Sequence, residues 1–565
     1  MHFSRLVAIN YIRIMKNKIG ILLLSTMLMT LSAVGQIESS IPSDKPKLVI
    51  GIVVEQMRQD YIDRFWDNFG NKGFKKLAVN GSYCVNTNLN YSLTQTAPGY
   101  ATIATGSEPC SHGIVSNYWF NKLTGEKIDC IHSEKKETAV GGSKDADGCV
   151  APTNMLSTTF SDEAKLFYRG KSKVISMSLS KYAAVLSGGY AADAAYWFDQ
   201  NSGQWITSTY YTSTLPKWVV EVNDRKMPDT YLERTWEPML PLEKYNEVLS
   251  DSSKYEFGID GMYKTFPYNY QNITKTVRNY KLMTMIPEGN TLLNDLAVAA
   301  LYGEDLGKDD FTDFLFINYS VSEEVGKLYG PQSIEVQDLF LRLDKDLEHL
   351  IEVVEELVGK NNCLIYLTSN HGVSEMPQYL LDQKMPAGNF KQFYMLALVK
   401  SYLKALYGDG DWIVDFNNSQ IYLNRSLIED SQISLNEFRE KIIDFIMNSA
   451  GIANAIGANQ FQNIVFVEGM PVKMQNSYNQ KRSGDIMIAL KPGWIEDIPY
   501  CTDHNSGYSC NTHVPLIWYG WKVKKQKVFS EVNITDIAPT VSTALGTPPP
   551  PIVSGKVLEN IFLNK

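Results

Sequence analysis

The sequence predicts an α/β fold, a doubly wound and mostly parallel sheet flanked by helices and interrupted by two insertions. Three observations predict it. Short apolar runs bounded by turn residues read as strands buried on both faces. A long amphipathic stretch, residues 334–358, comes after one of them. Polar residues able to do chemistry stand at or just past the ends of these runs, where open α/β sheets hold their ligands.

The elements follow in order. Lys16 and Lys18 precede an apolar run from Ile19 to Leu31, then Ser32-Ala33-Val34-Gly35-Gln36. A short basic region, about 13 apolar residues and small residues before the cut describe a signal peptide. It is expected over residues 1–35, with Met15 as the expected start. A membrane anchor, the alternative, needs about 20 apolar residues. The remaining chain, 36–565, is expected to be exported, periplasmic or secreted, with no later run long enough to span a bilayer. Leu48 to Val54 reads as the first strand and ends at Glu55-Gln56-Met57-Arg58. Asp313 to Asn318 is the second, ahead of the amphipathic helix and followed by Glu323 and Lys327. Leu364 to Thr368 is the third, ending at Ser369-Asn370-His371-Gly372, and Val514 to Tyr519 is the fourth. Insertions are expected at about 183–290, rich in Trp, Tyr and Pro, and at about 376–480, a small α+β unit.

Composition narrows the function classes. The 565 residues are 44% hydrophobic and 20% charged with a net charge of −9, against a broad nucleic-acid surface. The 32 Tyr and 10 Trp suit sizeable exposed recognition loops. None of the seven cysteines forms a CxxC knuckle. In an oxidising compartment Cys130–Cys149 and Cys501–Cys510 are candidate local disulfides, and the odd count leaves at least one free thiol. Cys363 opens an apolar strand and is expected as packing.

Thr94-Gln-Thr96-Ala-Pro-Gly-Tyr100 places a hydroxyl on a tight turn entering a helix. Helix amino termini attract anions, because unpaired N–H groups and the dipole point at them. There Thr96 can be an ordinary cap or a nucleophile whose hydroxyl a metal activates. Asn117 adds an amide able to donate to a phosphoryl oxygen.

In combination these segments resemble the alkaline phosphatase superfamily, specifically its secreted phosphate-irrepressible phosphatases and nucleotide pyrophosphatase/phosphodiesterases. The resemblance runs from about Lys47 to the carboxyl terminus. It rests on Val53-Val-Glu-Gln-Met-Arg58, Thr96-Ala-Pro-Gly, Thr105-Gly-Ser followed by His112-Gly-Ile114, Trp197-Phe-Asp199, Ile206-Thr-Ser-Thr-Tyr-Tyr211, Gly330-Pro-Gln-Ser-Ile-Glu335, Lys481-Arg-Ser-Gly-Asp485, His513-Val-Pro and Thr535-Asp-Ile-Ala-Pro-Thr540. It implies a two-zinc phosphoesterase with a Thr nucleophile, at Thr96 here. For the first metal, the family's Asp falls on Glu55, its Asp-His pair on Asn370 and His371. For the second, Asp falls on Glu323, one His on Lys327 and the last His on His504. The Lys and Arg that grip phosphate fall on Ser180 and Tyr182, with Lys181 between them, and Asn117 matches the phosphate-binding Asn.

With these replacements two divalent ions would leave excess positive charge, whereas one would leave the site neutral. Lys327, while protonated, cannot ligate a metal. At most one divalent ion is therefore expected, beside Glu55, Thr96, Asn370 and His371, with Zn²⁺, Mg²⁺, Ca²⁺ or Mn²⁺ as candidates. Among seven histidines, His112 and His513 are expected to be structural. Two readings follow. One is a divergent hydrolase of small phosphate or sulfate esters, with Thr96 as nucleophile, Asn117 stabilising charge and His504 or Lys327 assisting the leaving oxygen. The other is a pseudoenzyme that binds a phosphorylated or anionic ligand without turnover.

Overall fold

Eleven strands build the central sheet of the computed structural model, which describes residues 44–563. The expected signal peptide lies outside the described residues. In chain order the strands are β1 (Leu48–Val54), β2 (Ser82–Asn88), β3 (Ala139–Val140), β4 (Val174–Ser178), β5 (Ala194–Asp199), β6 (Gln204–Ser208), β7 (Asp313–Tyr319), β8 (Cys363–Thr368), β9 (His513–Gly520), β10 (Gln526–Val528) and β11 (Val532–Asn533). They lie in the order β10-β2-β9-β8-β1-β7-β4-β5-β6-β3, with β11 also beside β2.

The middle of the sheet is parallel: β8, β1, β7, β4 and β5 run the same way. Every residue of β1 and β7 is buried, as their unbroken apolar runs require when helices cover both faces. Each fully buried Ile or Leu there contributes about 1.5–3 kcal/mol relative to exposure. The fourth expected strand, β9, is present but antiparallel to both β8 and β2. Its direction reverses because the chain returns from the distal insertion at the site end of the sheet, so His513 rather than Gly520 lies toward the site.

Four helices matter for the site. They are α1 (Thr96–Thr105), α2 (Lys181–Gly188), α3 (Val321–Tyr329) and α4 (Ile334–Leu357). The last matches the predicted amphipathic stretch. Its Ser333 side chain caps the amino terminus by accepting from Val336 N, and its apolar face joins the main core.

The stretch 183–290 begins inside the sheet, since β5 and β6 belong to it. Its aromatics are mostly not exposed recognition groups. Trp205, Trp236, Tyr245, Tyr268 and Tyr270 are all buried in the main core, and Trp236, Tyr245 and Tyr268 donate to Asp338 or Glu335 of α4. Beyond 376 an antiparallel four-stranded sheet forms from Ile413–Asn417, Gln420–Leu423, Ile486–Leu490 and Ile452–Gly457, with its own apolar core around Phe438, Ile442 and Ile421. Ile486–Leu490 carries this unit past residue 480. All seven cysteines are unbridged. The expected pairs do not form because their members are placed otherwise: Cys149 Sγ donates to Ser133 O, and Cys501 Sγ to Lys327 O. No helix of the described residues is long and apolar enough to cross a membrane.

Candidate functional site: an altered metal centre

The carboxyl ends of β1, β7 and β8 deliver the predicted residues to one place. Glu55 follows β1 directly and its N–H donates to Tyr319 O at 2.9 Å, continuing the parallel ladder. The next residue, Gln56, has φ of 61°, an uncommon backbone state for a side chain of this size. The turn is held from the β8 side, where Gln56 N donates to Asn370 Oδ1 at 3.3 Å and Met57 N to Ser369 Oγ at 3.0 Å. Asn370 thus spends its carbonyl on the backbone, leaving a buried Nδ2 with no partner.

Thr96 opens α1 and is buried, with Oγ1 donating to Glu323 Oε2 at 3.1 Å. Asn117 Oδ1 accepts from Ala97 N at 2.9 Å, so it occupies one free amide of the helix end and keeps its NH₂ for a ligand. Gly99 explains why the motif reads Thr-Ala-Pro-Gly. A Cβ there would lie 2.6 Å from both Cβ and the backbone O of Asn370, so only glycine lets α1 approach the β8 loop.

Glu323 and Lys327 stand one turn apart on α3. The Lys327 ammonium donates to Glu323 Oε1 in a short ion pair. His504 reaches the same carboxylate, with Nε2 3.1 Å from Glu323 Oε1 and Nδ1 2.7 Å from Thr94 O. A carbonyl can only accept, so Nδ1 donates to Thr94 O. His371 stacks on His504, ring centroids 4.0 Å apart, and its Nδ1 donates to Gly372 O at 2.9 Å. Its Nε2 is therefore an unprotonated nitrogen, fully buried and without a hydrogen-bond partner.

The electrostatics follow from burial and neighbours. Burial, then the nearby Glu323 charge, push the Glu55 carboxyl well above its usual range. Glu323 goes the other way: burial opposes its charge, but Lys327 and then His504 outweigh burial and hold it well below. Burial keeps His371 neutral, and the charge of Glu323 keeps Lys327 protonated against burial.

Two divalent ions do not fit this arrangement. Lys327 occupies the Glu323 carboxylate, Asn370 is neutral with its carbonyl already committed, and burial beside Glu323 disfavours a charge on Glu55. One ion fits better. Ligand atoms of Glu323, His371 and His504 lie within 4.8 Å of one another. That grouping contains three of the expected ligands. It takes His371 from the first expected metal and Glu323 with His504 from the second, while Asn370 spends its carbonyl on Gln56 N.

A cleft of about 570 Å³ opens over these residues, lined by Glu55, Thr96, Asn117, Glu323, Glu324 and Lys327 on its floor. Lys181 and Tyr182 reach its wall, but both are taken. Lys181 pairs with Asp147 and lies 3.7 Å from Asp129, and Tyr182 Oη donates to Asp129 Oδ2 at 2.8 Å. Asp145, Asp147 and Asp199 also line it, and sequence reasoning gave no site role to them. Only Asp199 carried a signal, within Trp197-Phe-Asp199. His112 and His513 are structural as expected, bonded to Thr102 Oγ1 and Val85 O.

The sequence profile of the type I phosphodiesterase/nucleotide pyrophosphatase family matches residues 49–504. Alkaline phosphatase PhoV of Synechococcus elongatus is 35% identical over 92% of this chain and 93% of its own. Alkaline phosphatase PafA of Elizabethkingia meningoseptica is 35% identical over 96% and 98%. A crystal structure of wild-type alkaline phosphatase PafA superposes with a TM-score of 0.88 at 34% identity, covering 92% of this chain and 99% of that one. With a shared fold, a full-length match and an altered metal centre, this chain belongs to the type I phosphodiesterase/nucleotide pyrophosphatase family of the alkaline phosphatase superfamily.

Proposed function

We propose that this protein is an exported pseudoenzyme of its family, binding a phosphorylated small molecule without two-metal hydrolysis. The observation that carries this reading is the ion pair of Lys327 with Glu323. An ammonium group occupies the carboxylate that a second divalent ion would need, and it cannot supply an open coordination position. What remains suits recognition: the α1 amino terminus, the Asn117 NH₂ and the Lys327 charge converge on one cleft. Export is supported by the basic and apolar leader and by the likeness to alkaline phosphatases.

A single divalent ion at Glu323, His371 and His504 favours a second reading, a slow one-metal hydrolase of phosphate or sulfate esters. His371 Nε2, buried and unpartnered, is the observation behind it, since such a nitrogen is costly unless it binds something. An ion there would add Lewis-acid charge. The residues' own parts would be Thr96 presenting its hydroxyl beside Glu323, Asn117 orienting the anion and Lys327 offsetting developing charge.

An activity panel with binding measurements separates the two. Purified protein is assayed on a phosphate monoester, a diester and a sulfate ester with Zn²⁺, Mg²⁺, Ca²⁺ and Mn²⁺. The pseudoenzyme reading expects saturable binding of the phosphate monoester, weakened by Asn117→Ala, and no turnover that Thr96→Ala removes. Turnover abolished by Thr96→Ala overturns it and establishes the hydrolase.

A further inference from the structure

A second cleft, of about 750 Å³, lies between the distal insertion and the Trp119–Leu123 segment of the core. Its volume is in the range of small-molecule sites. Five cationic side chains line it, Lys122, Arg425, Arg439, Lys481 and Arg482, and no carboxylate does. The cleft over Thr96 is the reverse, with six carboxylates and two lysines along its lining.

The positive charge is poorly compensated. Arg425 Nη2 and Arg439 Nη2 converge on one oxygen, Asp485 Oδ1, at 2.6 and 2.7 Å, so two guanidinium groups share a single buried carboxylate. Lys122 donates to Gln480 O at 2.8 Å, and Arg482 donates to Gly113 O and Asn154 O at 2.6 Å each. These are carbonyls, which orient a cation without neutralising it. Neither group has a carboxylate within ion-pair distance among the described residues. Arg439 is only 5% exposed, yet its Nε has no hydrogen-bond partner. A buried guanidinium N–H left unpaired costs free energy that an anionic acceptor would recover. Burial also lowers Lys122 to about 8, in line with a group waiting for a counter-charge. Arg482 already stacks on Trp119, 4.6 Å from the ring centroid, so the aromatic face is covered and the cleft offers charge and amides rather than a stacking shelf. Guanidinium groups favour planar, multidentate contact with phosphate and related oxyanions.

We propose that this cleft is a second ligand site, separate from the Thr96 cleft, for a small molecule carrying phosphate or sulfate with at least two negative charges. The test is calorimetric titration of the full-length protein with inorganic pyrophosphate, with sulfate as a second arm and glucose as the uncharged control. Pyrophosphate is expected to bind saturably, and the Lys122→Gln/Lys481→Gln double variant to weaken it by about tenfold or more. Asn117→Ala is expected to leave this binding intact, which separates it from the Thr96 cleft. A difference between the pyrophosphate and sulfate arms assigns the natural group. A second measurement needs no variant. Lys122 is acetylated in the wild-type protein with and without pyrophosphate, and mass spectrometry should show it protected by ligand. No saturable binding at millimolar pyrophosphate overturns the proposal. So does equal binding by the double variant, loss of binding in Asn117→Ala, or unprotected Lys122.

Discussion

Replacing Lys327 with Met removes the ammonium from Glu323 while keeping the methylene stem. The two side chains are 15% and 11% exposed, so water compensates little for the missing charge. Glu323 must then stay ionised with only His504 and Thr96 beside it or take up a proton. The second route sets the scale: raising a carboxyl from its ordinary value near 4.3 to above 7 costs about 3–4 kcal/mol, at about 1.4 kcal/mol per unit. That agrees with the roughly 3–5 kcal/mol seen when one partner of a buried ion pair is deleted. For a folded unit of this size the melting temperature should fall by about 3–4 °C, at about 2 cal/mol/K of unfolding entropy per residue. The assay is thermal unfolding at pH 7 in chelator, then with added Zn²⁺. Glu323→Gln in the Lys327→Met background should recover most of the loss, because no charge is then stranded. In the single variant Zn²⁺ at 100 times its Kd should return about 2.7 kcal/mol, and more than it gives the wild type, where Lys327 competes for the same carboxylate. An unchanged melting temperature in chelator would refute the ion-pair argument. An equal Zn²⁺ response in wild type and variant would refute the competition.

Three further outcomes follow from the same geometry. Glu55→Asp, Glu323→Asp, Lys327→His and Asn370→Asp together should convert the protein into a zinc binder, measured as metal content after gel filtration; no gain over wild type would mean that these positions do not frame a metal site. Gly99→Ala should destabilise by about 1–3 kcal/mol in chemical denaturation, since its Cβ would lie 2.6 Å from Asn370 O, backbone that cannot yield cheaply. His112 is lowered from 6.5 to about 3, first by burial and then by the Arg482 charge. Its folded pKa lies below its unfolded one, so the unfolded chain binds the extra proton and stability falls as pH drops from about 6.5 toward 3, by about 1.4 kcal/mol per unit. His112→Gln should make the wild-type-minus-variant stability difference shrink across that window; a difference flat with pH would contradict the assignment.

Much of the fold was legible because β1, β7 and β8 are buried on both faces and must therefore be apolar throughout. The same property hid the direction of β9. A strand covered on both faces reads alike whether it runs parallel or antiparallel, and only the return of the chain from the distal insertion decides. Aromatic content misled for a related reason: Trp205, Trp236 and Tyr268 look alike in sequence whether they cover a ligand or fill a core. In the site, residue types at strand ends and the spacing of Glu323 and Lys327, one helical turn apart, were readable. Pairings across the chain were not. Nothing near Lys181 in sequence announces that Asp147, 34 residues earlier, will occupy its ammonium, or that Asp129 will take the Tyr182 hydroxyl.

Those hidden pairings decide how the Thr96 cleft can work. Lys181 is spent on Asp147, Lys327 on Glu323, and Asp145, Asp199 and Glu324 add acidic lining with no ion pair of their own among the described residues. A phosphate dianion entering such a cleft meets like charge except at the α1 amino terminus, Asn117 and the Lys327 ammonium, whose charge Glu323 already offsets. Its binding must therefore be linked to something positive, either a divalent ion at Glu323, His371 and His504 or protons on the carboxylates. Linkage makes the two effects reciprocal: a bound metal raises anion affinity by the same factor as a bound anion raises metal affinity. If the ligand binds equally well in chelator and in Zn²⁺ at neutral pH, recognition rests on the helix terminus, Asn117 and Lys327, and the three-residue metal cluster has no part in it.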